Sequence, residues 1–325
     1  MATPLRTPTL VDVLEARRRI RPYLAPTQLR RYPSLDRLVG AALFVKHENH
    51  QPTCAFKVRG GVNLISQLSA SDRRAGVASA STGNHGQSIA YAAQLFSVAA
   101  TICVPEKANP VKVEAMRDLG AEIVVHGRDF DEAREHCEQL AAERGSRYVH
   151  SANEPDLIAG VGTLTLEILD EEPAVDVIVV PVGAGSGAAG ACIVAKTIRP
   201  EIEVIGVQSA AAPAAHRAWQ ARELLEDEMR TFAEGLATRV TFELPQRILW
   251  QHLDDFVLVE DDELRRAVAL LVEKTRNLVE PAGAAPLAAA LRLGDRLEGR
   301  RVALVCSGGN ISPAQLREIL SAFAS

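Results

Sequence analysis

The chain has 325 residues, 47% of them hydrophobic and 24% charged, with a formal net charge of −5 at pH 7. That length allows about two domains with large buried cores, and the composition is that of a globular protein. The acidic balance excludes a nucleic-acid or anionic-membrane surface, which needs a basic excess, and no apolar run reaches the ~20 residues of a membrane span. The N-terminal MATPLRTPTL has no apolar signal core, and the five cysteines are scattered, none in a CxxC pair. A cytoplasmic protein with reduced thiols, no disulfide and no structural zinc is expected.

Leu10, Val11, Leu14, Ile20 and Leu24 recur among arginines, which predicts an amphipathic helix within residues 9–24. A short helix around Leu35–Leu38 follows Pro26 and Pro33, then a strand at Leu43, Phe44 and Val45. In the next stretch, TCAFKVRGG at Thr53–Gly61, an apolar helical stripe begins with Val58, Val62 and Leu64. From residue 76 the sequence alternates: a strand at 77–80, a helix at 87–95, a strand at 98–104 ending at Pro105, a helix at 111–119, a strand at 123–125 and a helix at 130–144, with Tyr148 and Val149 beyond. The same rhythm continues with a helix at 157–169, a nearly continuous apolar strand at 175–182, a helix at 188–198 and a strand at 204–207. Residues 222–250 are less regular; a helix opened by Asp261, Asp262 and Glu263, a small-residue helix at 284–293 and a last buried strand at 302–305 follow. Strands alternating with helices imply βαβ units, hence an α/β protein of two lobes with parallel, helix-covered sheets and ligands at the strands' C-terminal ends.

Lys57 stands at a helix start beside Phe56. The positive end of the helix dipole and partial burial both disfavour an ammonium there, so its amine can serve as a nucleophile. Three Gly-rich turns follow strands: Ser81–Gly86 (STGNHG), Gly183–Gly187 (GAGSG) and Ser307–Asn310 (SGGN). A strand, a Gly-rich turn and a helix N-terminus make an anion cradle, and the second turn suits it best. A dinucleotide fits it badly. GAGSGAAG carries the first part of GxGxxG, but Gln208 rather than an acid closes the next strand, and the GK[ST] element of a P-loop is missing. Taken singly, Asn84, His85 and Ser307 suit ordinary turns and helix starts. Together, an activated lysine, a phosphate cradle and polar turns at other strand ends suit a cofactor with an aldehyde, a phosphate and a ring nitrogen: pyridoxal 5′-phosphate.

Eight motifs in order make that specific: KxExxQ (Lys46, Glu48, Gln51), FKxRG (Phe56–Gly60), SxGNHGQ (Ser81–Gln87), IAGxGT (Ile158–Thr163), PVGxG (Pro181–Gly185), EGLA (Glu234–Ala237), VEPAG (Val279–Gly283) and SGGN (Ser307–Asn310). From about residue 9 onward the chain resembles the threonine/serine dehydratase family of fold-type II pyridoxal-phosphate enzymes, built like the tryptophan synthase β subunit and including serine racemase. The resemblance implies that Lys57 binds the cofactor as an imine and moves the substrate's α-proton. It implies that Phe56 packs beside the ring, Asn84 bonds the phenolic oxygen, and Gly183, Ala184, Gly185, Ser186 and Gly187 bind the phosphate. Ser307 is expected at the pyridine nitrogen, with Glu280 near that edge. Ser81, Thr82, Gly83 and His85 are expected to receive the substrate carboxylate. It also implies a large cofactor-binding domain, 1–66 with 151–325, and a small mobile domain, 67–150, closing over the substrate, in a homodimer.

The implied reaction is dehydration of a small L-β-hydroxy amino acid, threonine or serine first, to a 2-oxo acid and ammonia. A neutral serine opposite the ring nitrogen does not enforce a pyridinium, which favours β-elimination over transamination. Departures from the family pattern bear on the substrate. Ala55 stands where a serine is usual and Cys54 where glycine is common, while Ser151 and Ala152 replace a proline and a larger residue. These motivate hydroxyaspartate, or another polar β-hydroxy amino acid, as the rival substrate. Thr82 stands where serine racemases place an acid/base serine, which leaves amino acid racemisation as a further alternative. Gln208 and Ala214 replace the acids of metal-dependent members, so no Mg²⁺ or Ca²⁺ is expected there. With 15 residues after Asn310, a regulatory domain is not expected.

Overall fold

The computed structural model of the protein describes residues 5–323. Its strands are, in chain order, β1 (Leu29–Arg31), β2 (Ala42–His47), β3 (Val77–Ala80), β4 (Ala100–Val104), β5 (Glu122–Val125), β6 (Arg147–Tyr148), β7 (Val177–Pro181), β8 (Glu203–Ser209), β9 (Asp255–Val259) and β10 (Arg301–Cys306). Two sheets result. One has six strands in the order β1-β2-β10-β7-β8-β9, parallel except where β1 meets β2. The other has four, ordered β5-β4-β3-β6 and parallel throughout.

Near-continuous apolar strands are what a parallel sheet covered on both faces requires, and the cores show why. Val302 and Leu304 of β10 join Val177 and Val179 of β7 in one core, while Ala303, Val305, Ile178 and Val180 turn to the opposite one. The four-stranded sheet has its own core, where Val77, Ile102 and Val104 meet Val58 and Val62 of the helix Lys57–Ser66 and Ile89 of the helix Asn84–Leu95. Burying each such aliphatic side chain stabilises by about 1.5–3 kcal/mol.

Most elements lie where the apolar periodicity predicts, within a few residues. The exceptions are β1, the helix Ala70–Ala75 and elements around residues 222–250, where 222–242 are irregular as expected apart from the short turn Glu234–Leu236 but 243–250 are helical. The helices Ala214–Ala221 and Glu243–His252 and the edge strand β9 flank or cross this stretch. The helix Pro313–Ser321 also escapes the periodicity; Ile319 is the one residue it buries.

The helix Lys57–Ser66 is pinned from two sides. A Cβ on Gly61 would stand 2.3 Å from Ser88 Oγ, and one on Gly160 would stand 2.6 Å from Arg59 O, so the neighbouring helices approach at backbone distance. Behind it Arg59, 1% exposed, donates to Glu48 (Nε to Oε2, 2.7 Å) and to Glu167 (Nη1 to Oε1, 2.6 Å). Lys46 Nζ lies 2.7 Å from Glu167 Oε2 and donates to Thr27 O at 2.6 Å. A buried charge survives only when paired, and here each one is. The network bolts the lysine-bearing helix to β2 and to the helix Pro155–Glu171.

Candidate active site

A cavity of about 450 Å³ opens where the ends of β3, β7 and β10 converge. Its lining includes Phe56, Lys57, Ser81, Thr82, Asn84, His85, all of Gly183–Gly187, Glu280 and Ser307. Every residue expected at the site is thus in one place except Gly83, which is not part of the lining. Gly83 instead caps the helix Asn84–Leu95, where a Cβ would meet Lys112 Cδ at 2.8 Å.

Lys57 is the first residue of its helix, and its Nζ donates to Ser186 Oγ at 2.7 Å. Enclosure by protein pushes the pKa of its ammonium down to about 8. Its own segment is held to the third turn: Phe56 N donates to Ser307 O (3.0 Å), Gly309 N to Cys54 O (2.8 Å), and Ala55 bridges Gly308. Ala55 is fully buried against that turn, so the methyl side chain forms part of the seam.

The turn after β7 has its backbone N–H groups free. Among the described residues, none of the N–H groups of Gly183, Ala184, Gly185, Ser186 or Gly187 meets a protein acceptor, and no side chain caps the helix Ser186–Ile198 that they open. Gly183 is obligatory here, since a Cβ would stand 2.2 Å from Gly235 O. Gly185 has φ of +91°, in the left-handed region glycine tolerates. Five converging donors at a helix N-terminus form an anion site suited to a phosphate.

The turn after β3 is a second, smaller cradle. Ser81 Oγ accepts from Gly83 N (3.1 Å) and Gly86 N (2.9 Å), which leaves the N–H groups of Thr82, Asn84 and His85 without protein acceptors. His85 is neutral. Its Nε2 meets Ser79 Oγ at 2.9 Å while Ser79 donates to Val149 O, so the imidazole proton is on Nε2 and buried Nδ1 lacks a partner. Burial, then the charges of Lys57 and His150, lower its pKa to about 3.

Glu280 and Asn84 meet at the remaining wall. Asn84 Nδ2 donates to Glu280 Oε1 (2.6 Å), and Asn84 Oδ1 accepts from Asn310 (2.8 Å). Burial raises the Glu280 carboxyl, with Lys112, whose Nζ is 3.7 Å from Oε2, pulling it back. Lys112 also pairs with Glu234 at 2.6 Å. Sequence reading gives no individual role to Lys112 or Asn310. Lys112 sits on a helix whose apolar stripe draws the attention, and the only sign of its role is a charged residue on the face that buries Val113 and Met116.

A lysine amine on a helix start, facing a phosphate cradle in an α/β fold, defines an enzyme that holds an aldehyde-and-phosphate cofactor. The residues fit pyridoxal 5′-phosphate: Lys57 for the aldehyde, residues 183–187 for the phosphate, and Asn84 and Ser307 for the polar edges of the ring. The chain belongs to the pyridoxal-phosphate dependent enzyme family, whose profile matches residues 20–308. It is 40% identical over 302 residues to an L-threonine ammonia-lyase of Geobacter sulfurreducens, covering 92% of this chain and 75% of that one. It is 34% identical over 315 residues to an L-threo-3-hydroxyaspartate ammonia-lyase of Saccharomyces cerevisiae, covering 97% of each. The crystal structure of a threonine deaminase from T.th. superposes with a TM-score of 0.89 at 37% identity, over 94% of this chain and 99% of that one. The fold is fold type II.

Proposed function

We propose that the protein is an ammonia-lyase that dehydrates a small L-β-hydroxy amino acid, threonine or serine first, to a 2-oxo acid and ammonia. The observation that carries this is the facing of Lys57 Nζ, at a pKa near 8, and five unpartnered N–H groups across one cavity. When bound, pyridoxal 5′-phosphate supplies an electron sink for the carbanion at the substrate's Cα.

The chain's own residues do the rest. The free N–H groups of Thr82, Asn84 and His85 bind the substrate carboxylate, with the Thr82 hydroxyl beside it. Lys57, once released as a free amine, removes the α-proton, and a pKa near 8 suits it to take up and return a proton close to neutrality. The bare Nδ1 of His85 accepts hydrogen bonds and cannot supply a positive charge. Ser307 offers the ring nitrogen a neutral hydroxyl, Phe56 packs beside the ring, and Glu280 fixes the Asn84 amide at 2.6 Å so that its orientation is set before substrate arrives. Residues 67–150 form a small domain that closes on the large one, 1–66 with 151–325. This division is supported by the separate four-stranded sheet β3–β6. The reading includes a cytoplasmic homodimer: the cytoplasmic part accords with five unpaired cysteines.

A second reading, a hydroxyaspartate or similarly polar substrate, is favoured by one observation: Arg128 is among the residues lining the cavity, where a second carboxylate would compete with Glu132, its present partner, for that cation. Threonine, serine, both β-hydroxyaspartate diastereomers and D-serine, each assayed for ammonia, 2-oxo acid and inverted isomer, separate these readings. Ammonia and 2-oxobutanoate from L-threonine support the first. Accumulation of a D-isomer without ammonia would replace it with racemisation.

A further inference from the structure

The Lys57 amine has one hydrogen-bond partner in the cavity, the Ser186 side chain, and neither the phosphate-binding role of that turn nor the reaction itself calls for a hydroxyl there. Ser186 is the first residue of its helix and 2% exposed. Its Oγ accepts from Lys57 Nζ at 2.7 Å, a short distance of the kind a charged donor makes. Among the described residues the hydroxyl itself donates to no protein acceptor. It lies within the turn whose N–H groups converge on an anion, so the natural acceptor for its proton is an oxygen of that anion. Glycine or alanine would serve the turn as well, since the cradle is made of backbone. Small residues do stand on either side of it, at Gly185 and Gly187.

We propose that Ser186 is a positioning residue for Lys57: its hydroxyl holds the lysine amine whenever that amine is not joined to the cofactor, and links it to the anion in the phosphate turn. This rests on the reading of the cavity as a pyridoxal-phosphate site. The link has two consequences. The freed amine has a fixed place to wait, on the helix-turn wall of the cavity, instead of swinging among rotamers of a four-carbon chain. The charged form of the amine is also stabilised relative to the same cavity without the hydroxyl, because a hydrogen bond to the charged form favours it. Burial is what lowers the lysine, to about 8, and a hydrogen bond from the charged amine to Ser186 acts in the opposite sense. In the reaction Lys57 accepts the proton from the substrate's α-carbon as an ammonium; Ser186 Oγ accepts a hydrogen bond from one of its N–H groups, and no atom or electron is transferred to the serine.

The test compares wild type with Ser186→Ala and Ser186→Gly, both of which remove the hydroxyl and leave the backbone cradle. In the full-length chain freed of cofactor, reductive methylation of Lys57 with formaldehyde is followed by peptide mass spectrometry across pH, with and without inorganic phosphate as the anion. The wild-type midpoint is expected near 8 and higher in phosphate, while the variants titrate about one pH unit lower, with a smaller response to phosphate. In the holoenzyme, kcat is expected to fall about tenfold with little change in KM, because the substrate carboxylate is held by the other turn. Variants with the wild-type midpoint and the wild-type kcat overturn the proposal, and a variant that lowers kcat without moving the midpoint does so as well. A wild-type chain that takes up no cofactor would strike the underlying reading instead. If one variant does not fold, the other carries the comparison.

Discussion

At the scale of single residues, the segment leading into Lys57 carries a visible strain. Cys54 has φ of +52° without being glycine, because its carbonyl must turn to accept from Gly309 N at 2.8 Å. The left-handed conformation costs a β-carbon-bearing residue about 1–2 kcal/mol, while glycine adds roughly 0.5–1 kcal/mol of chain entropy to the unfolded state. The first effect wins. Cys54→Gly is therefore expected to stabilise the protein by about 0.5–1 kcal/mol, read as a raised urea midpoint. A lowered midpoint would mean that the thiol contributes packing that outweighs the strain.

Among the elements, the helix Lys57–Ser66 depends on a charge network behind it more than on its own residues, which include two consecutive glycines, Gly60 and Gly61. Arg59→Ala leaves Glu48, fully buried, without its cation, and Glu167 with Lys46 alone. Orphaning a buried charge costs about 3–5 kcal/mol, and denaturant titration should show a loss of that size. A loss below about 1 kcal/mol would mean that water reaches the network. The same network explains what is legible in the sequence. The strand–turn–helix rhythm and the glycines of the β7 turn announce themselves because apolar period and backbone freedom are local properties. Glu48 and Thr163 stand out only as parts of motifs, and their partnership with Arg59 cannot be read, since Arg59 donates to Thr163 across 104 positions and to Glu167 across 108. Residues 222–250 hide the helix Glu243–His252 because Leu244, Ile248 and Leu249 are spaced among a proline, an arginine and glutamines that blur the period.

Across the whole molecule, three contacts join the two sheet systems beside the cavity: Lys112 with Glu234, Asn84 with Glu280, and Arg239 with Asp131. Three enclosed histidines give the fold a shared weakness to acid. Burial lowers His47 and His150 to about 4 and His85 to about 3, from an ordinary 6.5. Between those values and 6.5 the unfolded chain binds protons that the folded one refuses. Stability is thus full above about pH 6.5 and falls as pH drops, by up to about 1.4 kcal/mol per pH unit for each histidine. Glu280 and Glu154, both raised by burial, act in the opposite sense, but two carboxyls do not offset three imidazoles. The thermal midpoint should therefore decline steadily from pH 6.5 to 4; a flat profile would show that these rings reach solvent. The central claim, that Lys57 is the residue joined to pyridoxal 5′-phosphate, has one direct measurement: borohydride reduction of the purified holoprotein, then peptide mass spectrometry. The expected result is a phosphopyridoxyl group on Lys57 in wild type and none in Lys57→Ala; the same label on another lysine, or full turnover by Lys57→Ala, would contradict it.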